Sequence, residues 1–488
     1  MKRLIYLFLP LILLAAACRR SQVPQHFTET DTMPRLYPDY IGVTVPQNMA
    51  PLRFHIEDEA DRYVTRLSSN GATYTFSGPD ICPSLKAWRR MAAGAADITA
   101  EVFLGQTDGT WQRMQPFSIH VSADSINPYL AYRLIAPSYV AYEDLTICQR
   151  NLTNYDERVI YGNMINSNER DGQCINCHAF QHYNPARMQF HVRQAYGGTV
   201  VAYDGTVKKV QLKRDSLLSA GVYPAWHPTE PLIAYSTNLT SQLFHTRDVQ
   251  KVEVQDTYSD LVLYDVAQDC VTSLPRDSNE LDCFPWWSPD GKTLYYCAAQ
   301  YTPTDSTLPR SQDMARHYTN LRYNLMARDF ATESHRFGPA RMVFDAASQG
   351  RSATLPRLSP DGRWLLFTMG RHGVFHIWHR DANLYMMDLS TGRVRRVDEV
   401  NSPEVESYHS WSSNGRWIVF SSRRDDGSYT RPFFAHVDAE GRMTKPFELP
   451  SCDPLYHRQL LRSYNIPEFI DGPVNVSPQE LARIIRQP

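Results

Sequence analysis

Four segments of the chain align without a gap and decide its fold: Trp226–Tyr235 (WHPTEPLIAY), Trp287–Tyr296 (WSPDGKTLYY), Leu358–Phe367 (LSPDGRWLLF) and Trp411–Phe420 (WSSNGRWIVF). Each segment begins with a bulky apolar residue, continues with a polar turn and ends in an apolar strand. Asp-Gly or Asn-Gly within three of the turns suits tight hairpins, whose central residues adopt positive φ. Repeats of this kind predict β-propeller blades, with four strands in each blade.

The repeats define five blades, at about residues 174–216, 222–275, 281–346, 353–400 and 407–450. A sixth blade is predicted from Tyr129 to Gly162, with Leu145–Gln149 and Arg158–Tyr161 as its outer strands. Residues 37–127 contain short alternating runs typical of a small β-sandwich, interrupted by one helix-like stretch, Leu85–Ala95. We therefore expect an all-β chain: a β-rich domain, a six-bladed propeller over residues 128–455, and a C-terminal extension over residues 456–488.

The W-S-P-D-G-x-x-L-x-[FY] pattern resembles the propeller repeats of the TolB-like periplasmic family. The resemblance covers roughly residues 170–450. It implies the fold and leaves the function open, because propellers host many activities.

The first residues are typical of an export signal. The basic pair Lys2-Arg3 precedes the apolar run Leu4–Leu14, and small residues precede Cys18. This resembles a bacterial lipoprotein signal, which implies removal of residues 1–17, lipidation of Cys18 and a tether over residues 18–36. An ordinary signal peptide with a chance cysteine is the alternative. The resemblance implies a lipid-anchored protein of the cell envelope. Arg19 favours the outer membrane, and the membrane face stays open.

The strongest chemical motif is Cys174-Ile175-Asn176-Cys177-His178. Two thiols three positions apart suit covalent attachment to the vinyl groups of haem, with the adjacent His178 as proximal iron ligand. Resemblance to the motif of c-type cytochromes implies one covalent haem c on Cys174, Cys177 and His178. A redox-active thiol pair, a zinc site, and a disulfide or two inert thiols are the rival interpretations. We expect the motif on or just before an innermost strand, near one mouth of the central channel.

The sixth iron ligand is not fixed by the motif. His245 is the first candidate and His227 the second, because both belong to the neighbouring predicted blade. An open or water-occupied position is a further possibility. The other candidates are Met188, His182, His191 and His409.

The chain also resembles bacterial envelope lipoproteins in which a TolB-like propeller follows a small β domain and a C-x-x-C-H segment. The stretch from Gly172 to His245, including Gly221–Pro228 (GVYPAWHP), carries this resemblance. Such proteins are commonly labelled cytochrome c-related, and the label establishes no reaction.

Other groups of residues carry weaker signals. His372, His376 and His379 offer a metal-binding spacing, but Arg371 and Gly373 indicate a loop, so we favour a loop without metal. We expect the tryptophans of the repeats to pack the blades. No hydrolase elbow, P-loop or H-E-x-x-H motif is present. The pairing of the six remaining cysteines is left open: Cys82, Cys148, Cys270, Cys283, Cys297 and Cys452.

Two functional hypotheses follow. The first is electron transfer through a haem at the propeller mouth to a redox partner in the envelope. The second is a binding or scaffold module for envelope proteins or glycans, with haem structural, sensing or absent. A net charge of −2 and a pI near 6.8 argue against a nucleic-acid partner. We expect no enzyme, and a peroxidase-like activity stays open because it requires an open iron position.

Overall fold

The computed structural model describes residues 22–136, 144–167, 173–275 and 277–487. The chain divides into two units: residues up to Ser125 with Pro450–Gln459, and Ile126–Leu449 with the residues from Leu460 onward. The predicted signal peptide, Cys18 and Arg19 lie outside the described residues. None of the helices in the described ranges is long and apolar enough to cross a membrane.

The first unit consists of two β-sheets and short helices. Phe54 of the smaller sheet packs edge-on against Phe117 of the larger one, with ring centroids 6.2 Å apart. The predicted helix is present as Leu85–Ala92, capped by the Ser84 hydroxyl, and a 3-10 turn follows at Ala93–Ala95. A second short helix is Tyr456–Gln459. The larger sheet contains Thr28–Glu29, Thr44–Pro46, Arg62–Ser69, Ala72–Ser77, Ile98–Gly105, Trp111–Arg113 and Phe117–Ser122, and the smaller one Leu36–Tyr37, Phe54–Ile56 and Asp80–Ile81.

Part of the predicted tether belongs to this unit. Thr28–Glu29 pairs in parallel with residues 112 and 113, and the Phe27 ring packs on Phe103 with centroids 5.2 Å apart. Leu36, at the end of the predicted tether, is buried. The sequence predicts a tether here, whereas the structure packs this segment onto the first unit. The reason is that its apolar side chains are buried rather than exposed to water.

The second unit contains six four-stranded antiparallel sheets, which confirms the predicted six-bladed propeller. The inner strands of successive blades contact each other in a closed ring. The strands of blades 1 to 3, from the centre outward, are Gln173–Phe180, Met188–Gln194, Gly198–Tyr203 and Thr206–Val210; Val222–Trp226, Leu232–Phe244, Val252–Asp265 and Cys270–Ser273; and Glu280–Trp287, Thr293–Gln300, Asn324–Ala331 and Arg336–Phe344. Those of blades 4 and 5 are Ser352–Leu358, Trp364–Gly370, Asn383–Asp388 and Arg393–Arg396; and Glu406–Trp411, Trp417–Ser422, Arg431–His436 and Phe447–Glu448.

Blade 6 combines two distant parts of the chain. Its inner strand is Ser463–Ile470, followed outward by Tyr129–Ile135, Thr146–Asn151 and Glu157–Gly162. The strand Ser463–Ile470 therefore belongs to the propeller, although the sequence assigns it to a C-terminal extension. Pairing with Tyr129–Ile135 hydrogen-bonds the inner edge of this blade and closes the ring. The helix Pro478–Ile485 then packs on the outer strands of blades 6 and 1.

Every inner strand carries the same irregularity. One residue per blade adopts a positive φ between 45° and 55°, and the pairing with the second strand shifts at or beside this point. Such bulges bend a strand and turn its next side chain in a new direction. The six residues are Cys177, Tyr223, Phe284, Leu355, Tyr408 and Ile466.

Candidate functional site

The C-x-x-C-H motif lies in the inner strand of blade 1, as the sequence predicts. Cys177 is the bulge residue of this strand, and His178 follows it. In the other blades the position after the bulge holds proline four times and histidine once. Cys177 and His178 therefore occupy positions that every blade repeats. The residues that stand where blade 1 has His178 are Pro224, Pro285, Pro356, His409 and Pro467.

All six inner strands line a cavity of about 50 Å³ in the central channel at the level of these bulges. His178 and His409 both face this cavity, together with Arg357 and Glu468. Burial, assisted by Arg133, lowers the pKa of His178 to about 3. Burial likewise lowers the pKa of His409 to about 3. Both imidazoles are therefore neutral.

Neither ring nitrogen of His178 makes a hydrogen bond of acceptable geometry, although the backbone of Ile466 lies beside the ring. Glu468 accepts a hydrogen bond from the backbone N–H of Phe180 at 3.0 Å, and burial raises its pKa to about 8. Burial lowers the pKa of Arg357 to about 10, and its guanidinium stacks on the Trp286 ring at 4.1 Å. Near neutral pH the two imidazoles and the Glu468 carboxyl are therefore uncharged, whereas the Arg357 guanidinium keeps its positive charge.

A covalent haem needs both thiols and the imidazole at one site. Cys177 and His178 line the cavity, but Cys174 does not, and it lies half-buried opposite Arg193. A cavity of about 50 Å³ is smaller than the cavity of about 150 Å³ that accepts benzene, and a porphyrin is several times larger than benzene. The residues therefore do not fit a haem inside this channel.

His227, the second candidate for the sixth ligand, has both ring nitrogens engaged. Nδ1 accepts from the backbone N–H of Glu230 at 3.0 Å, and Nε2 donates to the carbonyl of Gly291 at 3.0 Å. In blade 3 the matching Ser288 holds the turn in a similar way, since its hydroxyl accepts from the N–H of Thr293. The structure gives His227 the role of a turn-stabilising residue rather than of a ligand.

His245, the first candidate, lies away from the channel cavity and packs against Tyr318, with ring centroids 5.5 Å apart. Met188 is part of the core between blades 6 and 1, and His191 Nδ1 contacts the Thr199 hydroxyl at 3.1 Å. His182 lines the channel mouth. Of the candidate ligands, His409 alone shares the cavity with His178.

The channel mouth is a second cavity, of about 110 Å³, lined by aromatic and proline side chains. The first tryptophan of three repeats donates its indole N–H to the inner strand of the preceding blade. These bonds run from Trp226 to Ala179 at 3.3 Å, from Trp287 to Ala225 at 3.1 Å and from Trp411 to Arg357 at 3.2 Å. The predicted blade-packing role of these tryptophans is confirmed, and their ring surfaces form the mouth. The prolines in its lining are Pro224, Pro228, Pro289 and Pro360.

One group of possible metal ligands includes Glu253, a residue that the sequence did not indicate. Within the described ranges, one set of three metal-ligand side chains brings its ligand atoms within 4.8 Å of one another: Glu253, His372 and His379. The loop predicted around the histidines is confirmed, apart from a 3-10 turn at His376–Trp378. The spacing of four between His372 and His376 does not identify the ligand pair, because His372 instead meets His379 through the loop, and Glu253 comes from blade 2.

The eight cysteines of the described residues are free thiols. Cys283 and Cys297 lie opposite each other on paired strands of blade 3, and the Cys297 thiol donates to the Cys283 carbonyl at 3.2 Å. Arg53 donates to the Cys452 sulfur at 3.1 Å.

No protein-family model and no curated protein matches the chain. Among solved structures, TolB from Acinetobacter baumannii is similar, with 13% identity, 79% of this chain and 85% of that chain covered, and a TM-score of 0.43. An oligogalacturonate lyase from Vibrio parahaemolyticus is similar at 10% identity, with 85% of this chain and 100% of that chain covered, and a TM-score of 0.33. A hypothetical selenium-binding protein from Sulfolobus tokodaii is similar at 7% identity, with 72% of this chain and 96% of that chain covered, and a TM-score of 0.43.

At these identities and TM-scores, the similarities assign neither a family nor a ligand to the chain. The six sheets of the chain itself carry the architecture. The chain is a six-bladed β-propeller with an additional β-rich unit.

Proposed function

We propose that the chain is a binding protein of the cell envelope, whose channel mouth holds a small apolar side chain of a partner polypeptide. The observation that carries this proposal is the cavity of about 110 Å³ lined by tryptophan and proline side chains. The envelope location and the lipid anchor rest on the sequence of residues 1–18.

The chemistry of the mouth favours an apolar occupant. The indole N–H groups of Trp226, Trp287 and Trp411 are already bonded to backbone carbonyls, so the rings offer apolar faces. Prolines add further apolar surface without donors. A sugar ring needs several convergent polar partners. The polar side chains that line the mouth, apart from the tryptophans, are His182, Tyr183, Ser288, Ser410 and Glu468. All of them except His182 already make a hydrogen bond within the protein. A polypeptide therefore suits the mouth better than a glycan.

The size of the mouth limits what enters it. A cavity of about 110 Å³ is smaller than the cavity of about 150 Å³ that accepts benzene, so one proline or valine side chain fills it. The rest of the partner segment would then lie across the prolines at the rim. We expect a short proline- or valine-containing segment to be the recognised element.

A displayed peptide library tests this proposal. Peptides selected on the purified protein should be rich in proline or valine and should bind about tenfold more weakly to Ser410→Phe, which fills the mouth. Val159→Ala, on the exposed outer strand of blade 6, is the matched control and should leave binding unchanged. Selected peptides that bind Ser410→Phe as tightly as the parent protein would contradict the proposal.

Covalent haem with electron transfer is the second candidate. One observation favours it: the buried imidazole of His178 has no hydrogen bond of acceptable geometry at either nitrogen. Haem would require blade 1 to rearrange, because the channel has no room for a porphyrin.

A visible spectrum of protein produced with the cytochrome c maturation machinery tests the haem hypothesis. A Soret band that resists acid–acetone extraction, and that is lost or extractable in Cys174→Ala, would support covalent haem. A colourless protein, from cells that mature a control cytochrome, would remove the redox hypothesis.

A further inference from the structure

A buried cluster of Glu253, His372 and His379 lies at the end of the propeller opposite the channel mouth. In blade 4 the inner strand ends at Leu358, beside the mouth, whereas its first residue Ser352 pairs with Gly370. The loop after Gly370, which carries both histidines, therefore leaves the blade on the far side. Glu253 belongs to the long hairpin of blade 2, Leu232–Phe244 with Val252–Asp265.

The distances within the cluster match those between ligands of one metal ion. Glu253 Oε2 lies 3.1 Å from His379 Nε2 and 3.6 Å from His372 Nε2. Two ligand atoms bound tetrahedrally to one Zn²⁺ at about 2.1 Å lie about 3.4 Å apart. All three ligand atoms lie within 4.8 Å of one another, so small rotations of these side chains can bring them around a single ion.

The cluster is buried and its polar atoms are incompletely satisfied. His379 is fully buried, and neither of its ring nitrogens makes a hydrogen bond of acceptable geometry. Nε2 of His372 is also buried and makes no hydrogen bond of acceptable geometry. The side chain of Glu253 is 1% exposed, and within the described chain its ion-pair partners are these two imidazoles, with no Lys or Arg among them. A buried carboxylate of this kind needs a compensating positive charge.

A glycine beside the cluster leaves space between two of its residues. Gly373 adopts φ +74°, and a Cβ there would lie 3.0 Å from both Glu253 Oε1 and His379 Cε1, so a side chain would fill the space between these two residues. The Gly373 N–H donates to the carbonyl of Leu321 at 2.9 Å, and its carbonyl accepts from the Ser352 hydroxyl at 2.6 Å.

Two neighbouring side chains position the ligands. His376 contacts the Thr354 hydroxyl at 3.0 Å through Nδ1 and the His372 carbonyl at 3.2 Å through Nε2, so it braces the loop instead of joining the ligands. Gln250 donates to Glu253 Oε2 at 2.6 Å. Partners of this kind fix the orientation of metal ligands.

We propose that Glu253, His372 and His379 bind one divalent transition-metal ion, with Zn²⁺ as the favoured ion. Two imidazoles and one carboxylate are a ligand set that Zn²⁺ accepts with a fourth position open to water. The ion would cross-link the hairpin of blade 2 to the loop of blade 4. This inference is independent of the function proposed for the channel mouth. The competing explanation is a metal-free ion pair between Glu253 and a protonated histidine.

Calorimetric titration of the full chain, first stripped with EDTA, tests the proposal with Zn²⁺ alone. We expect one Zn²⁺ per chain, and affinity at least about a hundredfold lower in Glu253→Gln and in His372→Gln. Zn²⁺ should also raise the melting temperature of the parent by a few degrees and that of Glu253→Gln by less. Glu253→Gln keeps the size of the side chain, and His372 is the most exposed of the three ligands, so two independent variants guard against misfolding.

Two controls separate this site from other binding. His335→Gln alters an exposed histidine beside Asp265 and should leave the affinity unchanged. Cys174→Ala removes a thiol of the C-x-x-C-H motif and should also leave it unchanged. The proposal is overturned if no stoichiometric Zn²⁺ binding occurs, if Glu253→Gln binds as tightly as the parent, or if Cys174→Ala abolishes binding.

Discussion

The carboxyl of Glu468, in the wall of the central channel, makes a strong prediction about stability and pH. Its environment raises its pKa from 4.5 to about 8, chiefly through burial. The folded state therefore binds a proton at this site over a pH range in which the unfolded chain has lost it. Stability supplied by this proton is fully present below pH 4.5, falls as the pH rises toward 8, and is lost above that value.

Glu468→Gln removes this dependence. The amide oxygen of glutamine can still accept the hydrogen bond that the Phe180 N–H donates at 3.0 Å. At about 1.4 kcal/mol per pKa unit, the shift from 4.5 to about 8 corresponds to an upper limit of about 5 kcal/mol. The carboxyl is partly accessible from the channel cavity, so water there lessens the effect, and we expect about 2–4 kcal/mol.

Urea unfolding followed by tryptophan fluorescence at pH 5 and pH 9 measures the effect. The variant and the parent should be similar in stability near pH 5, and the variant should be more stable at pH 9. Groups that titrate equally in both proteins cancel in this comparison. Glu333→Gln, at an exposed position, should differ from the parent in unfolding free energy by the same amount at pH 5 and pH 9. A Glu468→Gln effect that is equal at pH 5 and pH 9, or that reverses, would refute the reasoning.

Two further predictions concern packing in the propeller. Phe469→Ala in the closing strand removes a fully buried ring and should cost about 3–5 kcal/mol in urea unfolding, whereas Leu461→Ala, 68% exposed, should cost less than about 0.5 kcal/mol. Gly441→Ala adds a Cβ that would lie 2.7 Å from the Trp364 ring at φ +78°, and should destabilise by about 2–4 kcal/mol. Gly392→Ala, with φ +70° and open space around it, should cost only about 1 kcal/mol. Equal losses of stability for Phe469→Ala and Leu461→Ala, or for Gly441→Ala and Gly392→Ala, would contradict the packing described above.

Local turn chemistry made most of the propeller predictable. In the turn that begins at Ser288, Asp290 accepts from the serine hydroxyl and Gly291 supplies the positive φ, so a few residues specify the hairpin. The strand Ser463–Ile470 gives no such signal, because its partner strand begins at Tyr129 and no turn joins them. Pairing over that separation depends on the closure of the whole ring.

The candidate sites were less predictable, because they too depend on contacts between residues that lie far apart in the sequence. The C-x-x-C-H motif correctly indicated an inner strand, but its spacing did not reveal that Cys177 occupies a bulge that every blade repeats. The proposed metal site needs Glu253, which lies in a different blade from His372 and His379. Sequence spacing could not bring these residues together, because the length of the blade 2 hairpin positions the carboxylate.

The segment from Pro450 to Ile470 has a consequence for synthesis of the chain. Residues 450–459 belong to the first unit, and Ser463–Ile470 supplies the inner strand of blade 6. A ribosome that has reached residue 449 has therefore produced neither unit in complete form. Until Ser463–Ile470 has been made, the strand Tyr129–Ile135 keeps an unpaired edge that other chains can pair with. Both units therefore depend on segments that are made one directly after the other, and a chaperone that covers this edge would protect the nascent chain until Ser463–Ile470 has been made.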